Sequence, residues 1–336
     1  MKKSKTFFAC AMLAALASCS NDHVLSQQSP TPSDPDVINI VAASSKPVTR
    51  AVEDATNLQN KQFAENEKIN VYLSEHTTNG NPVITYGTPW IFTVSNSLGS
   101  NGEVTLTPPD GITPKFPSNN NGVDAYALYP ISVTKTDNGT FTVPTDQSDD
   151  RNYRDADMMF GTNKLDSNGQ LLSNFSGTPR GSDVALYFKH QLAKIIVEMD
   201  ASSVSSGYLN DAVIKLKGVK NQFTYKASEN GIENINLTGD ATVEVELGKY
   251  AAAGNACIIA PQSITGEAEF IEITTSDTKK YVYKIASGTS RTFAAGNKYT
   301  YKIKLSGGSL VVVSTKIEDW GTGETVNGTA DLEPQS

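Results

Sequence analysis

The sequence predicts an all-β fold of the β-sandwich kind. Three observations predict it. Apolar residues alternate with polar ones over short runs, the period of a strand with one face buried. Gly, Pro and Asn-Gly punctuation separates those runs. Apolar residues at three-and-four spacing without an interrupting Gly, Pro or Asn are scarce, so helical content is expected to be low.

The N-terminus is read as an export signal. Lys2, Lys3 and Lys5 are followed by the apolar run Phe7–Leu16, which closes on Leu16-Ala17-Ser18-Cys19. That closing sequence is a lipobox, with Cys19 placed to receive diacylglycerol after cleavage, and the run is too short to span a bilayer. Residues 1–18 are thus the expected signal peptide. Residues 19–36 are rich in Ser, Pro, Gln and Asp and read as a tether. From Val37 the chain alternates, with Ile38, Ile40 and Ala42 on one face, which predicts a first strand. A polar, proline-broken segment follows, Ser44 to Ala51.

Beyond Arg50 the strand pattern continues. Ile69, Val71 and Leu73 alternate; Trp90–Val94, Val104–Leu106, Ala125–Tyr129 and Phe141–Val143 are short β-type runs. The stretch Ser176–Ser182 is rich in Gly, Ser, Thr and Pro and places a boundary near Gly181, giving expected domains 51–181 and 182–336. In the second half Leu186, Phe188 and His190 share a face, as do Ile195, Val197 and Met199. The run Tyr281, Tyr283, Ile285 is expected to pair with Tyr299, Tyr301, Ile303, Leu305.

Composition excludes several classes. Hydrophobic residues make up 38% and charged residues 19%, values of a folded chain. A net charge of −8 with no Lys/Arg cluster argues against a nucleic-acid partner. Of the three cysteines, Cys10 and Cys19 belong to the signal region, which leaves Cys257 with no disulfide framework and a buried apolar role.

Catalytic motifs are missing. His23, His76 and His190 are not at metal-ligand spacing, and no Gly-x-Ser-x-Gly or phosphate-cradling loop occurs. No cofactor and no enzymatic activity are expected. The carboxylate pairs Asp155/Asp157 and Glu318/Asp319 read as solvated loop charges. His190 reads as a hydrogen-bonded structural histidine at a strand end. Trp90 and Trp320 are assigned to packing before sugar stacking.

The ordered set of short segments resembles the fimbrillin family, subunits of type V pili in Gram-negative bacteria. The segments are Thr49-Arg50-Ala51, Glu67–Tyr72, Ala125–Pro130, Asp157–Gly161, Phe188–Lys194, Ile259–Gln262, Phe293–Tyr299 and Ile317–Trp320. The resemblance implies two transthyretin-like antiparallel β-sandwich domains in tandem. It implies a lipoprotein precursor carried to the outer membrane through lipid on Cys19. An Arg-specific protease would then cut between Arg50 and Ala51 and remove the strand within 37–50. The exposed edge would demand a partner strand. Four or five inserted side chains at roughly 1.5–3 kcal/mol each give on the order of 10 kcal/mol of gross burial. Other fimbrial subunits are the implied partners, and the fimbrium at the cell surface, supporting adhesion, is the implied location. The C-terminal segment supplies a candidate donor strand, with Val326, Gly328, Ala330 and Leu332 on one face. Two alternatives stand beside this reading: an anchor subunit that keeps its lipid uncut, and an outer-membrane glycan-binding lipoprotein, which needs an exposed aromatic platform.

Overall fold

The computed structural model describes residues 34–44, 63–77, 86, 89–98, 104–166, 169–199, 211–251, 254–306 and 309–320. Strands β1 (Ile40–Ser44), β2 (Lys68–Glu75), β3 (Trp90–Leu98), β4 (Val104–Thr107) and β5 (Val123–Tyr129) come first. Then follow β6 (Thr136–Thr142), the single helix among the described residues, α1 (Asp150–Asp155), β7 (Met159–Thr162) and β8 (Val184–His190). Seven of these strands close a barrel in the order β1-β4-β3-β2-β5-β7-β8. Closure leaves the barrel itself without a free sheet edge among the described residues.

The alternation read from sequence is the alternation of burial. Ile38, Ile40 and Ala42 point into the barrel core at 3%, 1% and 2% exposure, as do Ile69, Val71, Phe92 and Val94. Strand β5 is buried on both faces. Ala125, Ala127 and Tyr129 face the barrel core, while Tyr126 and Leu128 face a second core. This explains its near-continuous apolar sequence.

The second half supplies β9 (Ala193–Met199), β10 (Val213–Val219), β11 (Gln222–Ser228), β12 (Gly231–Leu237), β13 (Val243–Glu246), β14 (Gly248–Ala251) and β15 (Gly254–Ile259). Then come β16 (Gln262–Thr265), β17 (Glu269–Thr274), β18 (Lys280–Lys284), β19 (Ser290–Phe293), β20 (Asn297–Ser306) and β21 (Ser309–Asp319). The sheets β13-β10-β17-β18 and β14-β15-β9-β20-β21 contribute Ile195, Val197, Ile214, Leu216, Ile273 and Tyr301 to a third core.

The second core is shared. Strand β6 from the first half pairs antiparallel with β11 from the second, Phe141 opposite Phe223, in a sheet of order β12-β11-β6. Tyr72, Tyr126, Tyr153, Phe160, Phe223, Ile258 and Trp320 meet there. The described residues from Asp34 onward form one compact unit. Strand β8 lies C-terminal to residue 181 and pairs with β7 and β1 in the barrel.

One expected pairing is corrected. Strand β18 pairs with β17, Tyr281 opposite Ile273 and Tyr283 opposite Ile271. Strand β20 pairs with β9 and β21 instead. The two tyrosine runs meet face to face across the third core, with the Tyr283 and Tyr301 rings 6.4 Å apart. Among the described residues two strand pairs are parallel, β1 with β8 and β9 with β20.

Candidate functional site

Strand β1 fills a slot between two strands that do not pair with each other. On one side it runs antiparallel to β4, with Ile40 opposite Leu106 and Ala42 opposite Val104. On the other it runs parallel to β8, from Ile40 opposite Val184 to Ser44 opposite Phe188. Three side chains point inward among the described residues, Ile38, Ile40 and Ala42. The two isoleucines give on the order of 5 kcal/mol of gross burial. The ladders on both flanks fix the register.

The segment before β1 is tied down as well. The Ile38 N–H donates to the Pro114 carbonyl at 2.9 Å, and the Phe116 N–H donates to the Asp36 carbonyl at 2.8 Å. The Asp36 carboxylate pairs with Arg180, and Asp34 lies 3.9 Å from the Lys115 ammonium. These charges sit at the end of the slot where the chain enters. Sequence reasoning missed them, because nothing near Asp36 in the chain marks Arg180 as its partner.

The other end of the slot is built around Phe188. Its ring lies over Gly161, where an added Cβ would stand 2.7 Å from ring atoms. Phe63 packs edge-on against Phe188 at 4.8 Å and against Tyr129 at 5.3 Å. Ser44 and Phe63 therefore both stand beside Phe188. They flank residues 45–62, the segment that joins β1 to β2 and contains Arg50.

Beyond Phe188 lies a buried polar cluster. Asp149 caps α1, accepting from the backbone N–H groups of Arg151 and Asn152 at 3.0 and 3.1 Å. The helix presents Arg154, which pairs with Asp150 and lies 3.2 Å from Glu67. Glu67 also accepts from the Tyr129 hydroxyl at 3.0 Å and from the Ala64 N–H at 2.9 Å. Burial raises the Glu67 pKa to about 6 against these favourable contacts. Burial, and then the Glu67 and Asp157 carboxylates, push the Tyr129 phenol well above its usual range.

Asp157 is 1% exposed, so it is not the solvated loop charge expected. Its Oδ1 lies 2.9 Å from Nδ1 of His190. The His190 ring stacks on Trp320, centroids 3.9 Å apart and 4° from parallel, and the buried Lys194 ammonium lies 5.8 Å from the Trp320 ring centre. Trp320 is 3% exposed, in the shared core. Glu67, Tyr129, Asp157, His190, Lys194 and Trp320 come from five of the segments that carried the sequence resemblance. Their separation in the chain hid that they converge. His76, by contrast, pairs with Asp124 at 2.8 Å at the opposite end of the barrel.

Cys19, Arg50, Ala51, Val326, Ala330 and Leu332 lie outside the described residues. Among the described residues no group of three His, Cys, Asp or Glu side chains is placed to hold a metal ion.

A family model described as fimbrillin-like matches residues 49–320. Among solved structures, a candidate cell adhesion protein from Bacteroides uniformis is 21% identical with a TM-score of 0.59; the match covers 86% of this chain and 99% of that one. A candidate cell adhesion protein from Bacteroides ovatus is 16% identical with a TM-score of 0.59, covering 84% and 97%. The tip fimbrial protein Mfa3 from Porphyromonas gingivalis, with a C-terminal truncation, is 15% identical with a TM-score of 0.40, covering 84% and 100%. For the two Bacteroides structures the likeness is one of fold. No curated protein matches the chain.

Proposed function

The chain belongs to the fimbrillin-like family, and from that premise we propose that it is a structural subunit of a cell-surface fimbria which polymerises by donor-strand exchange. Its role is mechanical and adhesive, with other fimbrial subunits as partners and no catalysis. The precursor is exported as a lipoprotein on Cys19 and matures by cleavage between Arg50 and Ala51.

The observation that carries this reading is the connectivity of β1. The strand completes the barrel between β4 and β8, yet only residues 45–62 join it to the strands it completes. A cut after Arg50 leaves β1 attached to the leader alone and held in the slot by non-covalent contacts. Its removal uncovers two unpaired ladder edges, of β4 and β8, over an apolar floor. Such a slot takes an extended strand from a neighbour, the main-chain bonds giving affinity and the inward side chains register. The donor is residues 325–332, with Val326, Ala330 and Leu332 directed inward.

Digestion of the full precursor with an Arg-specific protease tests the reading. A fragment beginning at Ala51 and SDS-resistant ladders of that fragment are the expected products. A complete cut at Arg50 that yields only monomer at high concentration would refute strand exchange. Ladders that persist after the triple change Val326→Asp, Ala330→Asp, Leu332→Asp would refute the donor assignment alone.

A further inference from the structure

Trp320 is the last described residue before the C-terminal segment, and it is held more firmly than its place at a strand end requires. Strand β21 has one ladder partner among the described residues, β20, to which it pairs from Ser306–Ser309 at the turn to Asn297–Asp319 at the open end. The open end is where a pull on residues 321–336 would act. An edge strand loaded there can peel one ladder bond at a time, since each bond breaks before the next is strained.

Trp320 interrupts that sequence of events. Its backbone N–H donates to the Gly296 carbonyl at 2.6 Å, and the Gly296 N–H donates to the Leu192 carbonyl at 2.8 Å. Its ring is stacked on His190, whose orientation is set by Asp157. Its Nε1 is buried with no hydrogen-bond partner among the described residues, so the ring is held by its faces and not by its N–H. His190 ends β8, one wall of the slot, and stands two residues beyond Phe188, about 7 Å at the usual strand rise. The stack thus joins the root of the C-terminal segment to the strand that grips whatever occupies the slot.

We propose that Trp320 is a mechanical stop, which keeps tension on the C-terminal segment from peeling β21 and passes it through His190 to β8. The proposal rests on the fimbrial reading, because only a polymerised subunit is pulled at that point. Asp157 and His190 are positioning residues for the stop. Load entering at the slot and load leaving at the C-terminal segment then meet on one strand.

Magnetic tweezers test this on the single chain, without polymer. One handle is ligated to the C-terminus and the other attached at Leu171→Cys, a position 78% exposed in the connection between β7 and β8, with Cys10 and Cys19 changed to Ser. The wild-type background is expected to unfold with no early short step. Trp320→Ala is expected to show an early extension of about 40 Å, the length of the 11 residues of β21. Phe270→Leu, a core change away from the stop, is expected to lower the main unfolding force without that step. Hydrogen exchange on the unstretched chain gives the second readout: at least tenfold faster exchange in residues 309–319 for Trp320→Ala, and no such confinement for Phe270→Leu. No early step in Trp320→Ala, or the same step in Phe270→Leu, overturns the proposal. Both outcomes are independent of the protease ladders, so failure here leaves the fimbrial reading standing, and failure there leaves this measurement intact.

Discussion

The side-chain amide of Gln147 pairs with the backbone of Ile258 in both directions. Its Nε2 donates to the Ile258 carbonyl and its Oε1 accepts from the Ile258 N–H, both at 2.8 Å. Nε2 also donates to the Pro144 carbonyl at 3.0 Å, and the residue is fully buried. A side chain from the first half therefore completes the hydrogen bonding of β15 in the second. Gln147→Leu leaves three backbone groups unpaired at the shared core, and a buried unpaired group costs about 1–3 kcal/mol. The expected loss is about 3 kcal/mol or more, three such groups at the lower end of that range, read as a lower urea midpoint at unchanged m-value. A loss under about 1 kcal/mol would show that water replaces the amide.

Glu67 predicts a pH dependence with a definite sign. Its carboxyl faces Arg154 from α1, Tyr129 from β5, the Ala64 N–H and the Asp157 carboxylate, and burial raises its pKa from 4.5 to about 6. The folded chain therefore binds that proton more tightly than the unfolded chain. Stability falls as pH rises through the window from 4.5 to about 6. The shift corresponds to about 2 kcal/mol lost by neutral pH. Denaturant titrations of wild type and Glu67→Gln across this window should differ by that slope, wild type losing more. Parallel profiles would mean that Glu67 titrates alike in both states.

Sequence reasoning reached the elements whose signal is local. Ile38, Ile40 and Ala42 were legible as a strand because one of their faces is buried and the other is not, and period two reports that difference directly. His190 was legible as a structural histidine for the same reason, at the end of an alternating run. The tyrosine runs were misread because alternation says which residues share a face and nothing about which strand lies alongside; Tyr283 and Tyr301 meet across a core, not along a ladder. Asp157 was misread because its partner His190 is 33 residues away, and a carboxylate in a short polar stretch carries no mark of burial. The slot shows the same division. Its occupant is local and readable, while its walls, β4 and β8, are brought together by closure of the barrel.

Gly161 holds the exit end of the slot in shape. The Phe188 ring covers it so closely that a Cβ would meet ring atoms at 2.7 Å, and Phe188 in turn carries Phe63. Gly161→Ala forces the ring off its seat, at about 1–3 kcal/mol for overpacking. Phe188→Leu relieves the clash, so the double variant should lose less than the two single losses added. Strict additivity in thermal or urea melts would place the strain elsewhere.

Cys257 offers a test of how tightly the third core is closed. It stands opposite Ile195 in the pairing of β15 with β9 and is fully buried. Burial alone pushes its thiol far above the ordinary range, so no thiolate is available to a reagent in the folded chain. Alkylation of Cys257 should then follow opening of the fold, about tenfold faster for each 1.4 kcal/mol that a variant described above loses. The chemistry of the site predicts an asymmetry as well. Cys257→Ala keeps an apolar side chain and should cost about 1 kcal/mol or less, whereas Cys257→Ser buries a hydroxyl and should cost about 1–3 kcal/mol. Fast alkylation of the wild-type thiol under native conditions, mapped by peptide mass, would show that β15 opens locally and that the core around Ile195 is not a single cooperative body.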